Sequence, residues 1–186
     1  KHWTGKPHSL TGLLKVDGVI YRFLGNTADG SQEAGIQTAI QKNVKLNATP
    51  TIYAFTCGPV ELNLQFTSPL LLNDLNLIAR PVSYVNASVQ SNDGISHQVQ
   101  LYFGASSSIA VNKPEQEVTA SRYTSNGLSI LKAGTAAQPV LKTKGDDVRI
   151  NWGYLYVAVP SGNNVQQSVS VQRPLAQAFD EVRSES

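Results

Sequence analysis

Apolar side chains recur at every second position through long parts of this chain, and a period of two is what a β-strand with one buried face requires. Val60, Leu62, Leu64 and Phe66 alternate with Glu61, Asn63, Gln65 and Thr67. Val99, Leu101 and Phe103 alternate in the same way with Gln98, Gln100 and Tyr102. Val148, Ile150 and Trp152 continue the pattern up to Gly153, after which Tyr154 and Tyr156 alternate with Leu155, Val157 and Val159. A glycine inside such a run marks a bulge or bend that changes which face is apolar. The spacing therefore predicts Trp152 in the core and Tyr154 and Tyr156 turned outward. Residues 51–56, 82–89 and 128–132 read as further strands.

Turn residues fall where these strands need them. Asp17-Gly18 separates two apolar runs and is a two-residue hairpin signal. Asn92-Asp93-Gly94 and Asn126-Gly127 separate others. One apolar face and one amide-rich face per strand predict an all-β chain, an antiparallel β-sandwich. Helical spacing is confined to two places. Residues 30–42 read as a short helix or a loop. Residues 173–183 place Pro174 in a first turn and Leu175, Phe179 and Val182 on one face, a short carboxy-terminal helix or linker. The expected organisation is a sandwich over residues 1–171 and a helical linker over 172–186 that leads to a domain outside this chain.

Composition narrows the partners. Charged residues are 15% of 186, and the net charge of +2 comes from basic and acidic side chains mixed along the chain. No basic stripe marks a nucleic-acid partner. No apolar run approaches the roughly 20 residues that span a bilayer. The single cysteine, Cys57, excludes an internal disulfide and a Cys-based zinc site. The absence of methionine suggests that the chain is a fragment.

Catalysis needs a nucleophile with a base, paired carboxylates or a metal cluster, and no spacing here supplies one. His2 and His8 flank Trp3, Gly5 and Pro7 and make no helical metal pair. Asp17 and Asp93 read as turn residues, His97 as an exposed residue at a strand start, and Cys57 as a small buried apolar side chain. No catalytic residue, metal ligand or cofactor is assigned. Binding is harder to dismiss than catalysis. Tyr154 and Tyr156 make a candidate platform on which the flat apolar face of a sugar packs. His2, Trp3 and His8 form a candidate contact with a neighbouring domain, or a terminal strand that packs Trp3 on the sandwich. Asn47-Ala48-Thr49 and Asn86-Ala87-Ser88 match the glycosylation acceptor pattern.

Three blocks in order resemble a known family. They are His2-Trp3-Thr4-Gly5-Lys6-Pro7-His8 with Leu13–Gly18 and Tyr21–Gly25, then Gly58–Leu62 with Phe66–Leu71, Asp74-Leu75 and Arg80–Tyr84, and then Gly153–Pro160. Together they resemble the amino-terminal part of the glutaminase A-like family, extracytoplasmic proteins of fungi and gut bacteria. The resemblance implies a secreted or periplasmic protein and a parent that hydrolyses L-glutamine to L-glutamate and ammonia. It also implies a non-catalytic amino-terminal sandwich, inactive alone, that supports a helical toroid in the same polypeptide. The alternative expectation is a carbohydrate-binding module of a glycoside-hydrolase-like protein, with a glycan as partner.

Overall fold

The computed structural model describes residues 4–5, 9–25, 33–171 and 174–180. The chain is all-β, and its strands gather into two compact units. One is Gly12–Tyr102; the other is Lys1–Thr11 with Phe103–Ser186.

Two sheets, built mostly from the unit Gly12–Tyr102, face each other. The first orders its strands β3-β2-β1-β8, with β1 at Leu10–Val16, β2 at Val19–Leu24, β3 at Ile36–Thr38 and β8 at Val99–Ala105. The second is β4-β5-β6-β7, with β4 at Ile40–Leu46, β5 at Pro50–Cys57, β6 at Val60–Thr67 and β7 at Tyr84–Ser91. The Asp17-Gly18 turn closes β1 onto β2 with φ of 47° and 90°, the left-handed pair that a type I′ hairpin demands. Gly58 holds the β5–β6 turn at φ 59°, and a Cβ there would lie 2.4 Å from the Tyr21 hydroxyl, so only glycine fits. Ala39 carries the chain from the first sheet into the second and stays buried at the corner.

The core forms between these sheets. Leu14, Val16 and Phe23 come from the first, and Phe55, Cys57, Val60, Leu62 and Leu64 from the second. The alternation read along β6 holds: Val60, Leu62 and Leu64 are all but fully buried. Phe66 is half-buried and meets Tyr53 edge-on, with ring centroids 6.1 Å apart. Residues 30–42 do not form a helix where they are described. Ile36–Thr38 pairs in parallel with β2, and β4 starts two residues later. Between β6 and β7 a single helical turn, α1 (Leu75–Ile78), is capped by the Asp74 carboxylate, which accepts from the Leu77 amide at 3.0 Å.

The other unit is built on an antiparallel meander of β9 (Val118–Ser125), β10 (Leu128–Thr135) and β11 (Leu155–Pro160). Asn126-Gly127 makes the β9–β10 turn at φ of 49° and 74°. The expected strand over 148–152 is absent, and its buried face is inverted. Ile150 is 65% exposed, whereas Arg149 and Asn151 are buried. The Arg149 guanidinium donates to the Ser108 carbonyl at 3.2 Å and the Asn112 carbonyl at 3.0 Å, and its backbone amide donates to Asn112 Oδ1 at 2.8 Å. Thr135 Oγ1 donates to the Asn151 carbonyl at 2.6 Å. Polar side chains thus stitch irregular backbone that no strand partner satisfies. Of the expected carboxy-terminal helix or linker, residues 174–180 carry a 3-10 turn at Leu175–Gln177, and residues 172–173 and 181–186 lie outside the described residues. Among the described residues no helix is long and apolar enough to cross a membrane.

Replacing the buried Arg149 by Leu leaves two half-buried main-chain carbonyls without their charged donor, so stability should fall by about 1–3 kcal/mol. Arg149→Lys should recover little, because one ammonium cannot reproduce the guanidinium fork. Urea denaturation of the two variants checks both statements.

Candidate functional site

Tyr154 and Tyr156 are exposed, at 41% and 51%. They stand two residues apart around the start of β11 and share one face, with ring centroids 6.3 Å apart at 63°. Tyr156 lies directly opposite Lys132 on β10, and paired residues project to the same side. The Lys132 ammonium sits over the Tyr154 ring, 3.6 Å from its centroid, a cation–π contact. One register step along, Ala158 pairs Ile130 and Ile130 pairs Tyr123, which adds a third exposed tyrosine to the face. Gly134 makes room for this arrangement: a Cβ there would lie 2.6 Å from Tyr154 Cδ1 and 2.7 Å from the Gly153 carbonyl. The Gln138 side chain holds Gly153 by accepting from its amide at 2.7 Å and donating to its carbonyl at 3.1 Å.

This face offers ring surfaces, hydroxyl tips and one ammonium. It can stack and hydrogen-bond a ligand. Its residues include no carboxylate and no imidazole to move a proton. Trp152, expected in the core, is half-buried. His2, Trp3 and His8 lie outside the described residues.

A second cluster was not legible as one. His97 lies between two aspartates in the unit Gly12–Tyr102, with Nδ1 2.6 Å from Asp17 Oδ2 and Nε2 3.0 Å from Asp93 Oδ1. Asp17 Oδ1 also accepts from the Gln98 amide at 2.9 Å, and Asp93 Oδ1 accepts from the Ile95 amide at 3.0 Å and the Ser91 hydroxyl at 2.8 Å. The imidazole therefore joins the β1–β2 turn to the β7–β8 connection. The Asn92 amide, donating to the Pro59 carbonyl at 2.9 Å, ties in the β5–β6 turn. Far from being an exposed side chain, His97 keeps only 9% of its side-chain surface.

The electrostatics follow from those bonds. Hydrogen bonds to Asp93 and then Asp17 raise the His97 pKa above its ordinary 6.5. The His97 bond, helped by the Ile95 amide, pulls Asp93 down to about 2. Asp17 is lowered mainly by His97 and then by the Gln98 amide. Both ring nitrogens are occupied, so this imidazole has none free to act as a general base. Its role is structural, a charged rivet between turns.

Cys57 is no nucleophile either, because burial pushes its thiol up to about 11. A cavity of about 330 Å³ opens beside Phe23, Tyr53, Phe55 and Phe66, with Gln41 as its one amide, and it has no acid or base to work with. Among the described residues no three His, Cys, Asp or Glu side chains are placed to hold a metal ion.

A family described as a domain of unknown function, DUF5127, matches residues 49–184. Glutaminase A of Aspergillus oryzae is 27% identical over 101 residues, which cover 54% of this chain and 14% of that protein. The match thus spans a small part of the relative's length. No solved structure matches the chain.

With His97 replaced by Gln, the loss of stability should be greatest below the ordinary histidine pKa of 6.5, above the range in which the aspartates protonate, and should shrink as pH rises into the alkaline range. A raised histidine pKa gives stabilisation that is complete below 6.5 and fades as pH climbs through the folded value. The depressed aspartates give stabilisation that is lost only at the acid end, as pH falls through their folded values. Denaturation midpoints of the wild type and H97Q across this pH range check it.

Proposed function

Because the chain belongs to the DUF5127 family, whose members are defined by a domain of unknown function, we propose that it is the non-catalytic β-sandwich portion of a glutaminase-like hydrolase. The observation that carries this reading is the partial match to Glutaminase A, a protein in which the matched stretch is 14% of the length. A reaction centre then lies in polypeptide that this chain does not include, in a helical domain reached through residues 172–186. The side-chain chemistry supports that division of labour. The histidine that sits between two acids is locked by both, the one thiol is buried and protonated, and the exposed tyrosine face carries no proton-transfer group. We propose an extracytoplasmic setting for the whole protein, in keeping with the resemblance of its sequence blocks.

The chain alone should release no ammonia from L-glutamine above the uncatalysed background, while the full-length parent should release it. Coupled glutamate dehydrogenase assays on the two proteins measure both. Turnover by the chain at the parent's rate would overturn the proposal.

A second reading has its own observation. Tyr123, Tyr154 and Tyr156 on one sheet face, with Lys132 among them, have the character of a carbohydrate platform. Affinity electrophoresis against a panel of soluble polysaccharides should retard the chain, and Tyr156→Ala should abolish the retardation while leaving the circular dichroism spectrum unchanged. Unretarded migration through every gel in the panel would remove this reading and leave the first intact.

A further inference from the structure

The two edges of the second sheet are treated differently by the sequence. A bare edge strand exposes a row of backbone donors and acceptors that invites another strand, and proteins blunt it with charge, bulges or covering segments. At one edge β4 carries Lys42 and Lys45, and its pairing with β5 shifts register between Gln41 and Asn43. Both are edge-blunting devices. At the other edge β7 has neither. Its eight residues, Tyr84–Ser91, include no charged side chain and no proline, and they pair with β6 in unbroken register.

The apolar side chains of β7 make the exposure costlier. Val85, Ala87 and Val89 pair with Phe66, Leu64 and Leu62, so they continue the row of β6 that faces the core. On β6 that row is covered, with Leu62 and Leu64 at 0% and 1% exposure. On β7 it is open, with Val85 at 39% and Val89 at 38%. Tyr84, on the opposite face, is 51% exposed.

From this we infer that β7 is a strand-addition surface whose occupant is a second copy of the same strand. The local sequence favours self-pairing. The segment Val85-Asn86-Ala87-Ser88-Val89 is a near-palindrome about Ala87. An antiparallel pair with a two-fold axis at Ala87 puts Val85 opposite Val89 of the second copy on the core-facing side, and Asn86 opposite its Ser88 on the other. Each valine meets a valine, Ala87 meets Ala87, and no like charges meet. The free backbone groups of each edge satisfy the other's, and two four-stranded sheets become one of eight. Such an interface is small, so association is weak and depends on concentration.

Sedimentation of the chain produced in a bacterial host tests the inference. Raising its concentration from low micromolar to submillimolar should convert monomer to dimer. Ala87→Lys places two ammonium groups face to face on the axis and should weaken association about tenfold or more. Ser88→Lys, on the other face, should do the same, which guards against misfolding of the first variant. Ala87→Cys offers a positive readout, because the axis brings the two Cα atoms to about 4.5–5.5 Å, within disulfide range. Oxidation should then give a covalent dimer, while Cys57, fully buried, stays out of the reaction. A chain that remains monomeric at all concentrations overturns the inference. So does a dimer that persists in both lysine variants while Ala87→Cys stays reduced, since it would be held by another surface.

Discussion

The contact on which the unit Gly12–Tyr102 depends is the apolar row of β6 pressed against the first sheet. Val60, Leu62 and Leu64 meet Leu14, Val16 and Phe23 in one cluster, and Phe55 and Cys57 from β5 fill the space beside them. This burial is the main favourable term available to so sparsely charged a chain. The surrounding features follow from keeping those two sheets in face-to-face register. Gly58 lets a turn close beneath the Tyr21 hydroxyl, and Ala39 moves the chain between sheets without filling the corner. At the turns, His97 fastens loops that the core itself does not reach.

The unit built on β9, β10 and β11 solves the same problem by other means. Its buried positions include Thr135, Arg149 and Asn151, and among the described residues no carboxylate pairs with Arg149. The guanidinium instead works as a multi-pronged donor to main-chain carbonyls, a use for which its planar fork suits it. A polar interior of this type gives up hydrophobic gain in exchange for fixing irregular backbone. In doing so it sets the position of Gly153, and hence of the tyrosines that follow it.

These differences explain what could be read from the residues alone. The β6 alternation and the Asp17-Gly18 and Asn126-Gly127 turns were legible because burial period and positive φ are local properties. The outward set of Tyr154 and Tyr156 was legible through the break at Gly153. Residues 148–152 misled because period-two reasoning assumes that the apolar half goes inside, whereas there the hydrogen-bonding half does. β4 escaped notice because an edge strand exposed along its length has no buried face to print a period. The His97 cluster was invisible for a different reason. Asp17 and His97 are 80 positions apart, and each aspartate already had a sufficient local explanation in its turn.

The lysines and the displaced register of β4 bear on more than that strand. A sheet with two sticky rims can add units without end and grow into a fibre, whereas a sheet with one can take a single neighbour and then stop. By making one rim repellent, the chain limits strand addition on this sheet to the other rim. A pair joined through that other rim would present only the two repellent ones, so this sheet offers no route to open-ended stacking.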